Sequence, residues 1–187
     1  MSFRENQLHR GVAITLALLA NTPALAGGGL SWGSASDVLA LGLPAIAAGT
    51  AWSRGDSQGV RELALGLASA VGVAEALKSS VHAWRPDRSD NQSFPSAHTA
   101  VAFAAVTYID KRYGDEFANL RPWLYGAAAL TGVARVQADK HHWQDVVGGA
   151  ALGWASAWLW TRPVAGGTLA VMPTGGGVAI VWNRPLN

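Results

Sequence analysis

The chain has 187 residues, enough for one domain with a sizeable core and too few to argue for two. Charged residues make up 14% of it, against roughly 25% in an average soluble domain. The net charge of +2 and the scattered basic residues exclude a nucleic-acid footprint, and the absence of cysteine excludes disulfides and thiol chemistry. The low charge, an apolar share of 50%, 22 Gly and 9 Trp favour a membrane-associated protein, although the mean hydropathy of +0.17 is modest for a bundle of spanning helices.

The N-terminus has the pattern of an export signal. Arg4 and Arg10 precede an apolar run over 11–20, and Ala24 and Ala26 follow it. A basic start, a short apolar core and small residues at the end are typical of a cleaved signal peptide. An uncleaved first membrane helix is the alternative. Either way, the segment directs the chain to the cytoplasmic membrane or beyond it.

Five further segments are predicted to be helices because they are rich in Ala, Leu, Gly and Val. They cover 37–52, 60–77, 97–108, 122–134 and 146–160. Each is shorter than the roughly 20 residues that cross a bilayer, although Trp residues near their ends are placed as interfacial anchors. Small residues four apart, such as Gly149 and Gly153 or Gly66 and Ala70, allow close helix packing in lipid. The same spacing also suits a soluble bundle.

These segments predict an all-α helical bundle with about five transmembrane or membrane-associated helices after the signal peptide. If the mature chain starts outside, the turns near Arg54, Arg61, Arg112 and Arg162 lie in the cytoplasm, as the positive-inside bias expects. The chain divides into an export signal, a helical domain and a tail at 1–26, 27–165 and 166–187. In the tail, 168–172 and 178–182 are predicted to pair as a short β-hairpin.

Three polar clusters separate the nearly charge-free stretches and hold the candidate site residues. They are Lys78 with Arg85 and Pro86, then Pro95-Ser96-Ala97-His98, then Arg135 with His141 and Asp145. Lys78 and Arg85 are two helical turns apart, so one helix would present both. Such a cation pair is costly at an apolar helix end unless an anion lies between the two charges. Singly, each is more often a snorkelling end residue.

The second cluster is predicted to start a helix, with Ser93 or Phe94 near the cap and Pro95 in the first turn. The backbone N–H groups of Ser96 and Ala97, and the Ser96 hydroxyl, would then face an anion, because a helix N-terminus is a prepared anion site. A plain capping role for Ser96 is the alternative.

In the third cluster, His141 and Asp145 lie one helical turn apart if a helix starts near His141. A carboxylate on one imidazole nitrogen fixes the tautomer and leaves the other nitrogen free to attack. Capping of the last helix by Asp145 is the structural alternative. His142 is predicted to point elsewhere. A metal site of His98, His141, His142 and Asp145 is the rival interpretation, disfavoured because the nearby Lys and Arg side chains would repel a cation.

The clusters resemble the signature of the phosphatidic acid phosphatase type 2 family and the related vanadium-dependent haloperoxidases. That signature is K-x6-R-P, then P-S-G-H, then S-R-x5-H-x3-D. The match runs from Lys78 to Asp145, with Ala97 where the family has glycine and Ala134 where it has serine. Three ordered elements with matching internal spacing make a specific signal.

The resemblance implies a phosphatase that works through a phosphohistidine, without a metal or another cofactor. His141 resembles the nucleophile, Asp145 its orienting partner and His98 the general acid. The residues that resemble the phosphate-binding set are Lys78, Arg85, Ser96, Ala97 and Arg135. Ala134 lacks a hydroxyl whose hydrogen bond would be worth about 0.5–1.5 kcal/mol. Weaker or altered phosphate binding is therefore expected.

The resemblance also implies a bacterial enzyme that hydrolyses a lipid phosphate or diphosphate at the periplasmic face of the inner membrane. Candidate substrates are phosphatidate, phosphatidylglycerol phosphate, polyprenyl diphosphate and lipid A. One alternative is an exported soluble acid phosphatase acting on small phosphomonoesters. Another is a non-catalytic membrane protein that binds lipid phosphates, which the two alanine replacements alone favour.

Overall fold

The computed structural model describes residues 31–164, 168–174 and 177–183. Within these residues lie five α-helices, one 3₁₀ turn and two strands. In chain order they are α1 (Trp32–Ser53), α2 (Ser57–Val81), α3 (Ala97–Tyr113), the 3₁₀ turn (Ala118–Leu120), α4 (Arg121–Gln137), α5 (Trp143–Trp160), β1 (Thr168–Thr174) and β2 (Gly177–Asn183). The predicted helical bundle of five helices is confirmed. The predicted signal peptide falls outside the described residues.

Helix α3 is the centre of the bundle, since it packs against each of the other four helices. Its fully buried side chains are mostly small: Ala100, Ala102, Ala104 and Ala105, together with Val106 and Ile109. Small residues on α5 allow it to approach closely. A Cβ added to Gly149 or Gly153 would collide with the carbonyl oxygen of Ser96 or Ala100. The predicted close packing at these two glycines is confirmed.

Helix α2 ends at Val81, beyond the predicted end at residue 77 but short of Arg85. His82 takes a left-handed conformation with φ of 52°, which ends the helical hydrogen-bond pattern. Lys78 therefore lies in the last turn of α2, whereas Arg85 lies in the loop that follows. The prediction that one helix presents both cations is wrong. The Arg85 N–H instead donates to the Asp90 carbonyl oxygen at 3.1 Å, which closes a turn in that loop.

The cap of α3 also differs from the prediction. Ser96 is the N-cap residue, and its Oγ accepts a hydrogen bond from the Thr99 N–H at 3.5 Å. Pro95 therefore precedes the helix instead of lying in its first turn, and Ser93 lies further out. Ser96 takes the cap because its side-chain oxygen reaches the N–H three residues ahead, as N-cap serines do.

Helix α1 is the one described helix that is long and apolar enough to cross a membrane by length and composition. The number of membrane spans therefore stays a prediction. Exposed tryptophans occur at both ends of the bundle. Trp32, Trp84 and Trp143 lie at the end where α1, α3 and α5 begin, and Trp52, Trp123 and Trp158 lie at the opposite end.

Strands β1 and β2 pair antiparallel, in a register that runs from Thr168 opposite Asn183 to Thr174 opposite Gly177. Both predicted strand segments fall inside these strands. The two residues between the strands lie outside the described residues, so the turn that joins them stays a prediction.

Candidate active site

The three polar clusters meet at the end of the bundle where α1, α3 and α5 begin and where α2 and α4 end. This end is called the site end below. Two loops are tied together there. Nζ of Lys140 lies 2.6 Å from Oδ2 of Asp87, and Nη1 of Arg85 donates to the Lys140 carbonyl oxygen at 2.9 Å. The loop after α2 is thereby fixed against the loop that carries His141.

His141 is 2% exposed, and its two ring nitrogens face different groups. Nε2 lies 3.2 Å from Nη1 of Arg85. Because a guanidinium can only donate, Nε2 is the acceptor and the ring proton belongs on Nδ1. Nδ1 lies 3.7 Å from Oδ2 of Asp145, too far for a hydrogen bond. The backbone of Ser93 lies close to the ring and favours its protonation, but it makes no hydrogen bond of good geometry to Nδ1.

The surroundings of His141 keep its ring neutral. Burial, and then the positive charges of Arg85 and Arg135, lower the pKa of His141 below its ordinary value of 6.5. Asp145 opposes this shift without reversing it. The ring is therefore uncharged at pH 7, and Nε2 carries the lone pair that a nucleophile needs.

The carboxylate of Asp145 is engaged by other donors. Its Oδ2 accepts a hydrogen bond from Ser93 Oγ at 2.5 Å and another from the His142 N–H at 2.7 Å. The second of these caps the start of α5, so the capping alternative holds for Asp145. The ring of His142 does not point elsewhere as predicted, since its Nδ1 lies 3.4 Å from the same oxygen. The predicted pairing with His141 is a close approach, not a hydrogen bond.

A second group of contacts surrounds Arg135 in the last turn of α4. Its Nη1 lies 3.4 Å from Oγ of Ser36 and 3.6 Å from Oδ1 of Asp37. Its buried Nε makes no hydrogen bond to any described residue. His98, in the first turn of α3, places Nε2 2.9 Å from the same Oδ1 of Asp37. One carboxylate oxygen thus lies between a guanidinium and an imidazole.

At the predicted anion site at the start of α3, other groups of the protein already use some of the hydrogen-bond donors. The Ser96 N–H donates to the Asp145 carbonyl oxygen at 2.9 Å, and Ser96 Oγ accepts from Thr99 Oγ1 at 3.0 Å. Because Ser96 is fully buried and its amide is used, the prediction that this amide faces an anion is wrong. The Ala97 amide is different. It occupies the first position of α3 and has no acceptor within that helix.

Lys78 lies near enough to His98 for their charges to interact, which places it at the same end as Arg135. Its Nζ contacts Oε1 of Glu75 at 2.7 Å, one turn earlier on α2. Since Glu75 is exposed, the pairing is weak enough for an incoming anion to replace it.

The site end therefore gathers the three cations and the two imidazoles that the sequence predicts for the site. Two buried donors, Arg135 Nε and His141 Nδ1, have no hydrogen-bond partner among the described residues. Leaving a buried donor unpaired costs about 1–3 kcal/mol, so such a donor calls for an acceptor that arrives with a ligand. An oxyanion bound between Arg85 and Arg135 supplies acceptor oxygens for Arg135.

The described residues hold no group of three or more His, Cys, Asp or Glu side chains suited to a metal ion. The four residues of the rival metal interpretation do not face one point. His98 contacts Asp37, whereas His141 and His142 both approach Asp145.

Sequence reasoning missed four residues that shape the site: Ser36, Asp37, Asp90 and Ser93. Asp37 had a visible signal, because it is the one charged residue within Trp32–Ser53. Asp90 holds Arg85 through an Oδ1 to Nε contact of 2.8 Å. Ser93 was considered only as a helix cap, and Ser36 had no signal, since a serine in a helix is ordinary.

Comparison with known proteins identifies relatives of the region that carries the clusters. The family model described as PAP2 superfamily matches residues 59–166. Lipid A 1-phosphatase of Porphyromonas gingivalis is 39% identical over 94 residues, which cover 48% of this chain and 20% of that protein. Lipid phosphate phosphatase 1 of Arabidopsis thaliana is 38% identical over 74 residues, which cover 34% of this chain and 23% of that protein. The chain thus matches about a quarter or less of either relative.

Two further similarities extend over more of the chain. Lipid A 4'-phosphatase of Helicobacter pylori is 32% identical over 138 residues, which cover 67% of each protein. The crystal structure of Aquifex aeolicus LpxE matches with a TM-score of 0.51 over 77% of this chain and 92% of that chain, at 22% identity. The structural match supports the helical fold. The family match contains every predicted site residue and leaves Asp37 outside it.

Proposed function

The chain belongs to the PAP2 superfamily, and on that premise we propose that it is a phosphatase of lipid phosphates or diphosphates that works through a phosphohistidine at His141. The observation that carries the proposal is the burial of a neutral His141 against Arg85, with the unpaired Nε of Arg135 at the same end. Its relatives named as lipid A and lipid phosphate phosphatases support the lipid class.

Substrate binding uses the cations and the free amide. Arg85, Arg135 and Lys78 donate to the non-bridging oxygens of the phosphate, and the Ala97 N–H adds a donor at the start of α3. Fixed donors of this kind stabilise the charge that develops in the transition state without reorganising. Arg85 is already held by Asp90 and the Lys140 carbonyl oxygen, so it loses little freedom when phosphate binds.

Transfer of the phosphoryl group to the enzyme begins at Nε2 of His141, the ring nitrogen that carries no proton in this tautomer. Nε2 attacks phosphorus, the bond from phosphorus to the leaving oxygen breaks, and His98 donates a proton to that oxygen. The ring of His141 gains positive charge in this step. Asp145, 3.7 Å from Nδ1, stabilises that charge across a short gap.

Release completes the cycle. Neutral His98 takes a proton from water, the oxygen of that water attacks phosphorus, and the P–N bond breaks. The electron pair returns to Nε2 of His141, and inorganic phosphate leaves. Neither step requires a metal or another cofactor.

The exposed tryptophans favour a membrane setting. Trp32, Trp84 and Trp143 lie at the site end and Trp52, Trp123 and Trp158 at the other, which matches the aromatic belts of membrane proteins. A site beside one belt lets a lipid keep its tail in the bilayer while its phosphate reaches Arg85. We place this face on the periplasmic side of a bacterial inner membrane, because the basic turns near Arg54 and Arg162 then face the cytoplasm.

Of the two alanine replacements that favour the non-catalytic alternative, the one at Ala97 no longer does so. Ala97 lies in the first turn of α3, and it is not among the described residues that have positive φ. Alanine is therefore compatible with the backbone where the family has glycine.

The test is an assay of purified protein in detergent with phosphatidate, phosphatidylglycerol phosphate, polyprenyl diphosphate and lipid A, in the presence of EDTA. Turnover by the wild type, and a fall of about 10⁴-fold or more in kcat for His141→Ala, are expected. For His98→Ala, about 10²–10⁴-fold is expected. His82→Asn is the control, because His82 is exposed and its left-handed backbone tolerates asparagine.

Three results would contradict the proposal. They are equal turnover in wild type and His141→Ala, loss of activity on chelation, and failure to trap ³²P on His141 in an acid-labile form. Release of the protein from membranes by carbonate, together with activity on small phosphomonoesters, would favour the exported soluble phosphatase instead.

A further inference from the structure

Asp37 is an unusual residue for its helix. It is the one charged side chain within Trp32–Ser53, the helix that is apolar and long enough to cross a membrane. An ionisable side chain in such a helix is expensive unless it is paired, and it marks a functional site by default. Asp37 also precedes the residues matched by the family model, so no family motif assigns it a role.

Among the described residues, the carboxylate of Asp37 forms its ion pairs with two residues of the site. Its Oδ1 lies 2.9 Å from Nε2 of His98 and 3.6 Å from Nη1 of Arg135. Its neighbour Ser36 is fully buried and accepts a hydrogen bond from Arg135 at 3.4 Å. One turn of α1 therefore supports both the predicted general acid and one of the phosphate-binding cations.

We propose that Asp37 is a positioning residue that stabilises the imidazolium of His98 and holds the ring in place for delivery of the proton to the leaving oxygen. This inference rests on the proposed function, because it assigns to His98 the role of general acid.

The charges around His98 show why such a residue is needed. Burial disfavours the imidazolium most, and the positive charges of Arg135 on α4 and Lys78 on α2 add to that effect, which Asp37 opposes without reversing it. On α5, the nearest carboxylate is Asp145, which is engaged by Ser93 and the His142 N–H. Asp37 is the carboxylate that contacts His98 directly, so it provides the counter-charge.

A different role for Asp37 leads to the opposite kinetic result. Its Oδ1 lies between Arg135 and His98, where an oxygen of the substrate would also bind. If Asp37 only fills this position in the empty enzyme, then removing its charge makes substrate binding tighter and leaves the proton transfer unchanged.

The experiment compares wild type, Asp37→Asn, Asp37→Glu and the control Glu116→Gln, using the most active lipid phosphate from the panel. Glu116 pairs with Arg54 at the opposite end, so its variant makes the same charge change away from the site. Asp37 has 58% of its side chain exposed and asparagine has the same shape, so folding is preserved. Thermal unfolding of each variant checks this.

For Asp37→Asn, kcat is expected to fall about 10–100-fold, less than the ~10²–10⁴-fold of a lost general acid. The alkaline limb of the kcat profile moves to lower pH, KM changes less than about 3-fold, and Asp37→Glu recovers part of the rate. A lower KM with unchanged kcat, or an unmoved alkaline limb, overturns the inference.

An NMR titration of His98 in wild type and Asp37→Asn provides a readout that needs no turnover. The midpoint is expected to fall when the carboxylate is removed, and an unmoved midpoint overturns the inference. If the wild type has no phosphatase activity, the proposed function fails, while the titration still decides whether Asp37 stabilises the imidazolium.

Discussion

Two arginines at opposite ends of the bundle, the buried Arg112 and the half-buried Arg135, differ in what their guanidinium groups contact. Arg112, in the last turn of α3, is 4% exposed. It donates to both carboxylate oxygens of Asp56 at 2.6 Å, to Glu62 at 2.8 Å and to the Arg162 carbonyl oxygen at 2.9 Å. Arg135 at the site end has its nearest carboxylate oxygen at 3.6 Å and leaves Nε without a partner.

This difference indicates that the charge of Arg112 stabilises the fold, whereas the charge of Arg135 is available to a ligand. At the opposite end, burial alone would raise the pKa of Asp56, but hydrogen bonds from Arg112, Tyr113 and the Gly59 N–H lower it to about 2. Because the charges in such a network compensate one another, the network has little tendency to bind a ligand. At the site end, the three predicted phosphate-binding cations pair with more exposed carboxylates, and Nε of Arg135 has no partner among the described residues, so a bound phosphate can complete the set.

The largest effect predicted from this comparison is a loss of stability when Arg112 is replaced. Arg112→Met leaves the buried Glu62 and the half-buried Asp56 without their counter-charge, so the free energy of unfolding should fall by about 3–5 kcal/mol. Chemical unfolding in detergent measures this. Arg121→Met is the matched control, since its ion pair with Asp110 is more exposed and should be worth less than about 1 kcal/mol. An Arg112→Met protein as stable as the control would show that its network is dispensable.

A similar change at the site end is expected to affect catalysis instead of stability. Arg135→Gln removes one charge that stabilises the transition state, so kcat/KM should fall about 10²–10³-fold. Because its nearest carboxylate, Asp37, is 3.6 Å away and mostly exposed, losing that pair costs little, and the melting temperature should stay the same or rise. Steady-state kinetics and thermal unfolding on one preparation separate the two effects. A loss of activity that only follows a loss of folded protein would contradict the assignment.

The smallest effect concerns the protonation of His141 near pH 6. Burial and the charges of Arg85 and Arg135 hold its pKa below 6.5, so the ring should remain neutral as pH falls through that value. In Arg135→Gln one of the two repelling charges is gone, and the pKa should rise. NMR titration of ¹⁵N-labelled histidine measures the midpoint in both proteins. Equal midpoints would mean that Arg135 lies too far from His141 to act on its charge.

The helices and the residues of the three clusters could be predicted from the sequence alone. Apolar runs rich in Ala and Gly indicated five helices at nearly the right places, because burial in a bundle requires such runs. The clusters predicted that Arg135, His141 and Asp145 lie close together, and the structure brings them to the same end of the bundle, while their catalytic roles stay a proposal. The packing glycines Gly149 and Gly153 were visible from their four-residue spacing.

The incorrect predictions concern the hydrogen-bond and ion-pair partners of individual polar groups. Arg112 was assigned to a basic cytoplasmic turn, yet it is buried against Asp56 and Glu62, which lie far from it in the chain. The Ser96 amide was expected to be free, yet α5 brings the Asp145 carbonyl oxygen to it. Asp37 was not considered at all. Each error involves a partner on another helix, about which local sequence is silent.

The amino-acid sequence by itself determined the helical composition, the inventory of cations and imidazoles, and the family to which they belong. Only the tertiary structure decided which of these groups are paired. Helix α1 brings Asp37 to His98, α5 uses the Ser96 amide, and Arg135 is left with an unpaired donor. The physical reason is that hydrogen bonds and ion pairs act over a few ångströms, so their partners depend on how helices pack and not on their distance along the chain.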